Sequence, residues 1–184
     1  MANKLKIIGG EWRSRVITFA DIPELRPTPA RVRETLFNWL QQDLVARRCL
    51  DLFAGSGALG FEAASRGAKA VTQVEKDPTA CKHLLHNSGL LGAKQVQVVC
   101  QDVVQFLQQG ASCYDVIFLD PPFKSNLAVP VCHLIQAQQW LAPQGLCYIE
   151  TPAQFDLSGL PQQWRGLKHK TAGDVGYHLF INES

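Results

Sequence analysis

The residues of this chain most able to do chemistry are acids at the ends of apolar runs and one unusual tetrapeptide. Asp120-Pro121-Pro122-Phe123 closes the run Val116-Ile117-Phe118-Leu119. The carboxylate offers acceptors, while each proline lacks an N–H and holds φ at about −65°. The neighbouring carbonyls are therefore rigidly aimed, with an aromatic ring beside them. Such a strand end suits a planar group that carries an NH2. A proline pair is also common loop punctuation, so the tetrapeptide needs support from the rest of the chain.

That support comes from a second strand end. Asp51-Leu52-Phe53-Ala54-Gly55-Ser56-Gly57-Ala58-Leu59-Gly60 holds Gly-x-Gly-x-x-Gly between a strand and a helix, the context that a nucleotide-binding turn requires. Glu75 ends the next strand, where an acid accepts both hydroxyls of a ribose. Asp102 follows the third strand and Asp120 the fourth. A single acid in such a place reads as a helix cap and nothing more; four along one sheet edge exceed what capping needs. A dinucleotide would set its pyrophosphate on the helix that follows Gly57, and Asp51 would repel it. S-adenosylmethionine carries cationic sulfonium and ammonium groups and no phosphate, so acidic surroundings favour the methyl donor. An NAD-dependent oxidoreductase would also need a substrate domain, for which little chain remains after residue 150.

The elements that must position these residues follow from periodicity. Apolar runs at 49–53, 70–75, 95–100, 115–119 and 145–150 read as buried parallel strands. Helical stretches at 58–66, 78–91, 103–108 and 127–140 alternate with them. Residues 48–150 are thus expected to form a doubly wound α/β unit. The tail, 167–171, Gly173-Asp174 and 177–182, reads as a closing hairpin with an antiparallel strand. Upstream, Lys6-Ile7-Ile8, Gly9-Gly10 and 12–19 suggest a β-hairpin. Thr28-Pro29 then reads as the start of an amphipathic helix reaching about residue 42, with Thr28 as N-cap and Pro29 first in the helix. The expected division is a basic N-terminal β appendage over 1–26 and one catalytic domain over 27–184.

Composition excludes several classes. The hydrophobic fraction is 46% and the charged fraction 18%, as in ordinary globular domains. No run nears the roughly 20 apolar residues of a membrane span, and no signal-peptide pattern opens the chain. Six scattered cysteines (49, 81, 100, 113, 132 and 147) include no Cys-x-x-Cys, which points to a reducing, cytoplasmic setting. Cys81, His83 and His86 lack a second ligand pair, so no metal is expected. Net charge is +2, but residues 1–48 hold nine Lys/Arg against five Asp/Glu. Arg13, Arg15, Arg26, Arg31 and Arg33 make that block a candidate phosphate-contacting patch.

The glycine turn together with Asp120-Pro121-Pro122-Phe123 resembles class I S-adenosylmethionine-dependent methyltransferases that modify exocyclic amines, a Rossmann-like fold with a mostly parallel seven-stranded sheet. The blocks Ile7-Ile8-Gly9-Gly10-Glu11-Trp12-Arg13-Ser14-Arg15 and Leu25-Arg26-Pro27-Thr28-Pro29-Ala30-Arg31-Val32-Arg33-Glu34-Thr35-Leu36-Phe37-Asn38-Trp39-Leu40 narrow the resemblance to the RsmD family, which methylates N2 of a guanine in 16S ribosomal RNA. The similarity is dense over about residues 6–125 and weaker, though compatible, in the last third. It implies that Asp51, Phe53, Gly55 and Gly57 hold the methionine part of S-adenosylmethionine, Glu75 its ribose and Asp102 its adenine. It implies further that Asp120 and Pro121 accept from the target amine while Phe123 stacks on the base. The implied partner is 16S rRNA, in a small-subunit assembly particle and with the chain as a monomer. Two other readings remain: an adenine-N6 enzyme, since both targets are exocyclic amines, and an RNA-binding protein that has lost catalysis.

Overall fold

A computed structural model describes residues 3–23, 25–110 and 112–184. Met1, Ala2 and Glu24, which fall in the expected appendage, lie outside the described residues, as does Ala111. Seven strands form one sheet in the order β5-β4-β3-β6-β7-β9-β8. They are β3 (Arg48–Leu52), β4 (Ala70–Glu75), β5 (Val96–Cys100), β6 (Tyr114–Leu119), β7 (Leu141–Pro152), β8 (Trp164–Ala172) and β9 (Val175–Asn182). The first five run parallel to their neighbours, and β9 enters between β7 and β8 antiparallel to both. The expected α/β class, mostly parallel seven-stranded sheet and antiparallel closing strand are what the chain forms.

The order reverses between β3 and β6, because the chain winds outward through β4 and β5 and then returns to the other side of β3. The turn after β3 and the Asp120 segment after β6 are therefore side by side at the switch point, where open α/β sheets bind ligands. Period-2 alternation feeds two cores. Leu50, Leu52, Ile117, Leu119, Cys147 and Ile149 pack on the face covered by α4 (Val103–Gln108) and α5 (Ala128–Ala137). Cys49, Val116, Phe118, Leu146 and Tyr148 pack on the opposite face with α1 (Ala30–Leu40), α2 (Ala58–Ser65) and α3 (Pro78–Leu91).

The N-terminal hairpin is shorter than expected. Strands β1 (Asn3–Lys6) and β2 (Val16–Phe19) pair antiparallel, and 7–15 form a loop between them. Ile8 and Gly9 do not continue β1, because their N–H groups donate to the carboxylate of Glu62 at 2.9 and 2.8 Å. Trp12, expected in a strand, is buried in this loop, and its N–H donates to Ser65 Oγ at 2.9 Å. Gly10 has φ +76°, and a Cβ there would meet the Ser65 carbonyl oxygen. Backbone contact this close leaves glycine as the residue that fits. The loop is thus clamped onto α2, and Ile7, Trp12 and Ile17 share a core with the sheet.

Helix α1 begins one residue later than expected. Pro29 occupies the N-cap position without a side-chain cap, and the Thr28 hydroxyl donates instead to Glu150 Oε1 at 2.8 Å. The Thr28 hydroxyl hydrogen goes to a carboxylate, a bond worth more than one to a neutral acceptor, and that turns the side chain toward β7 and away from the helix terminus. No described helix is long and apolar enough to cross a membrane.

Candidate active site

The glycine turn is built by its acids. Asp51, opposite Gln73 in the β3–β4 register, accepts the Gly60 N–H at 2.9 Å. Gln73 Nε2 donates to the Gly57 carbonyl at 3.2 Å. A Cβ on Gly60 would collide with Gln73 and Asp51, and one on Gly57 with Leu84 and Phe61. These two glycines therefore serve close packing inside the protein. Gly55 differs: a Cβ there meets nothing nearer than Leu25 at 3.5 Å, so its backbone faces open space. Phe53 holds φ +61°, a left-handed conformation that costs a non-glycine residue about 1–3 kcal/mol and gathers at ligand sites.

Glu75 ends β4 and holds the turn from the other side. Its Oε2 accepts the Gly55 N–H at 2.8 Å and its Oε1 accepts the Asp77 N–H at 2.8 Å. Asp102 is the N-cap of α4, with Oδ1 accepting from Val104 and Gln105. Its second oxygen is left without a hydrogen bond among the described residues.

The target side has the opposite character. Register sets Leu52 beside Leu119 and Leu119 beside Ile149, so Asp120 follows at the centre of the edge with Glu150 next to it. Asp51, Asp120 and Glu150 continue the same face by alternation, the face that α1 covers. Asp120 has no hydrogen bond among the described residues. Burial raises its pKa well above the ordinary carboxylate range, and the charges of Glu150 and Asp51 push the same way. Burial also carries Asp51 up to about 7, against the Gly60 and Gln73 hydrogen bonds. Glu150 is raised by burial, while the Thr28 and Tyr148 hydroxyls hold it down. Pro121 is buried, Pro122 is exposed and Phe123 is 42% exposed. Together with Asn126, Glu150, Thr151 and Phe155 these residues line a shallow recess.

Glu150 was not among the residues singled out from the sequence, yet the signal was there. The run 145–150 ends in an acid as the other strands do, and the count of strand-end acids stopped at four. The donor-side residues Asp51, Phe53, Gly55, Gly57, Glu75 and Asp102 and the target-side residues Asp120, Pro121 and Phe123 all lie on the carboxyl edge. Among the described residues no Lys or Arg forms an ion pair with Asp51, Glu75, Asp102, Asp120 or Glu150. An uncompensated acidic edge fits a cationic ligand and opposes a pyrophosphate.

Of the five arginines, Arg13, Arg15, Arg26 and Arg31 are exposed. Arg15 Nη2 donates to the Leu90 carbonyl at 2.7 Å. Arg33 has to be withdrawn from the patch. It is 4% exposed, pairs with the fully buried Glu62 at 3.4 Å, and donates to the Thr28 and Lys6 carbonyls. A guanidinium is buried only when its fork is paired, and Glu62 on α2 supplies the partner. Cys81 and His83 face different neighbours, with Cys81 Sγ donating to the Glu75 carbonyl and His83 Nδ1 bonded to Thr18 Oγ1.

Comparison with known proteins agrees with this geometry. The sequence model of Cons_hypoth95, conserved hypothetical protein 95, matches residues 5–181. Ribosomal RNA small subunit methyltransferase D of Escherichia coli K12 is 41% identical over 183 residues, covering 100% of this chain and 92% of that protein. The protein of the same name from Haemophilus influenzae is 44% identical, with 97% and 94% covered. Among solved structures, the candidate methyltransferase yhhF from Escherichia coli superposes with a TM-score of 0.92 at 41% identity, covering 98% of this chain and 99% of that one. With both the strand-end motifs and the N-terminal block shared along the whole chain, the protein belongs to this family, the RsmD family that its motifs resemble.

Proposed function

We propose that the chain transfers a methyl group from S-adenosylmethionine to the exocyclic N2 of a guanine in 16S rRNA. The observation that carries this reading is the pairing of Asp120-Pro121-Pro122-Phe123 with a glycine turn across the switch point, on an edge whose acids have no cationic partners among the described residues. S-adenosylmethionine supplies an electrophilic methyl and a positive charge. Asp51 and Glu75 shape the turn that would hold its methionine part and ribose, and the free oxygen of Asp102 would accept from its adenine amine.

On the target side the difficulty is the amine itself, whose lone pair is delocalised into the ring. Hydrogen bonds from N2 to the Asp120 carboxylate and the Pro121 carbonyl draw the group toward tetrahedral geometry and aim the lone pair. Positive charge then develops on nitrogen next to a negative oxygen, the electrostatic contribution that is commonly the largest in catalysis. Holding both reactants in line supplies about 7–11 kcal/mol in favourable cases. Phe123 stacking on the base is worth about 1–3 kcal/mol. Proton loss follows methyl transfer, so no histidine base is required. The enclosed part of the recess holds only about 10 Å³, the space of one water.

Arg13, Arg15, Arg26 and Arg31 are the phosphate contacts in this reading, on a β appendage over 1–26 that precedes the catalytic domain. The chain acts as a cytoplasmic monomer on a small-subunit assembly particle. The test is mass-mapped methylation of 16S RNA from a strain lacking this gene, offered as naked RNA and as small subunits, with calorimetric titration of S-adenosylmethionine. The expected result is one new N2-methylguanine and saturable donor binding. Binding of NADH without binding of the methyl donor would sink the reading.

A further inference from the structure

Glu150 is the one strand-end acid for which the reaction above has no use, and its surroundings are unlike those of the others. It is 5% exposed and lines the recess with Pro121, Phe123 and Phe155. One oxygen is fixed: Oε1 accepts from the Thr28 hydroxyl at 2.8 Å and from the Tyr148 hydroxyl at 3.0 Å. The other, Oε2, has no hydrogen bond among the described residues. An acid held rigidly by one oxygen with the other spare is an acceptor prepared for a donor from outside.

We propose that Glu150 accepts the N1–H of the target guanine and so sets the choice of guanine over bases that lack that hydrogen. The proposal rests on the guanine-N2 reading of the same site and adds a specificity residue to it. The chemistry follows from the edge of the base. Guanine presents N1–H and N2–H2 side by side as donors, and an extruded base is read by hydrogen bonds on that edge. Asp120 and Glu150 are neighbouring acceptors on adjacent parallel strands, about 4.8 Å apart. With N2 on Asp120 and the Pro121 carbonyl, N1–H is the adjacent donor and Glu150 the adjacent acceptor. Adenine offers a lone pair at N1 beside its amine, and a carboxylate facing that lone pair repels it. A site built to accept a hydrogen bond rejects a ligand lacking the donor far more strongly than a site relying on shape.

Ionisation supports the assignment. Two hydroxyl donors on Oε1 favour the charged form of Glu150. Burial raises both Asp120 and Glu150 above the ordinary carboxylate range. A cationic donor in the cleft favours both carboxylates.

The experiment compares guanine with 2-aminopurine, which keeps the N2 amine but has a lone pair in place of N1–H. Small-subunit RNA carrying either base at the target position is offered, naked and in reconstituted subunits, to the wild-type chain and to Glu150→Gln. The amide keeps the size, lets its oxygen accept from Thr28 and Tyr148, and turns the free end into a donor. The wild-type chain is expected to favour guanine by about 100-fold or more in kcat/KM. Glu150→Gln is expected to lose guanine activity and hold or gain on 2-aminopurine, so that the preference narrows at least tenfold, with donor affinity within about threefold of wild type. Equal losses on both bases would mean that Glu150 only anchors Thr28, and would overturn the proposal. Equal kcat/KM on both bases for the wild-type chain would overturn it with no variant needed. A wild-type chain that methylates neither base would overturn the guanine-N2 reading itself, an outcome visible before any variant is made.

Discussion

The two halves of the cleft use the same residue type in opposite ways. On the donor side Asp51, Glu75 and Asp102 already hold backbone N–H groups from Gly60, Gly55, Asp77, Val104 and Gln105. On the target side Asp120 has no hydrogen bond among the described residues, and Glu150 is bonded through one oxygen alone. The donor-side acids are structural before they are functional, because they fix the turn that meets the ligand. The target-side acids lie beside each other with raised pKa values and with oxygens that no described protein group bonds, so an incoming pair of N–H groups finds its acceptors free.

The sharpest separation of the halves is Asp120→Ala against Glu75→Ala. Asp120→Ala removes the acceptor that meets developing charge, so kcat for methyl transfer is expected to fall about 10²–10³-fold. Donor affinity should hardly change and unfolding free energy should hold or rise, since no group of the protein loses a partner and a carboxyl whose charged form the fold disfavours is removed. Glu75→Ala orphans the Gly55 and Asp77 N–H groups, and stability should fall by about 1–3 kcal/mol together with donor affinity. Urea denaturation and calorimetry on the two variants give the answer. If Asp120→Ala proves the less stable of the two, the contrast drawn between the halves is wrong.

Stability against pH tests the same contrast with a smaller effect. A carboxyl whose folded pKa is raised binds its proton more tightly in the folded chain. Its contribution is therefore greatest at low pH and is lost as pH climbs from the unfolded value to the folded one. For Asp51 that window closes near the folded value of about 7. Asp120 is raised well above its ordinary value, and Asp120→Ala should flatten whatever part of the fall is its own. His178 works in the other direction. Burial and the charge of His169 lower it to about 4, so its contribution grows as pH rises from about 4 to the ordinary histidine value of about 6.5. Above that value the acids act without it, and thermal unfolding of the free chain between pH 6.5 and 8 should show stability falling. A single group contributes at most about 1.4 kcal/mol per pH unit. A rise in that range would contradict the raised, uncompensated acids along this sheet edge as a whole.

How legible each half was in the sequence follows the same division. Strand ends and their acids could be read because apolar runs bounded by Gly, Pro and Asp mark them locally. The turn after β3 and Asp120-Pro121-Pro122-Phe123 therefore came out as a pair. What could not be read depends on partners distant in the chain. Thr28 looks like an N-cap until Glu150, 122 residues on, takes its hydroxyl hydrogen. Arg33 looks like one more surface arginine until Glu62 lies beneath it, and Glu62 also ends β1 early by taking the Ile8 and Gly9 N–H groups. Glu150 is the exception, since its run ended in an acid like the others and only its pairing with Asp120 was out of reach.

The exposed arginines give the smallest effect and bear on the target half alone. If three or four of Arg13, Arg15, Arg26 and Arg31 meet phosphates, the slope of log affinity for RNA against log salt is about −2 to −3, from the single-strand coefficient of about −0.7 per contact. Each single Arg→Ala change should reduce that slope by about 0.7 and weaken RNA binding a few-fold, with kcat at saturating RNA and donor affinity unchanged. Arg33→Ala behaves differently because its guanidinium is bonded inside the protein. It leaves the salt slope as it was and lowers stability by about 1–3 kcal/mol, because the Thr28 and Lys6 carbonyls lose their donor while Glu62 keeps Arg66. Filter binding across a salt series, run beside urea melts, distinguishes the two kinds of arginine. A slope change for Arg33→Ala without loss of stability would return that residue to the surface patch.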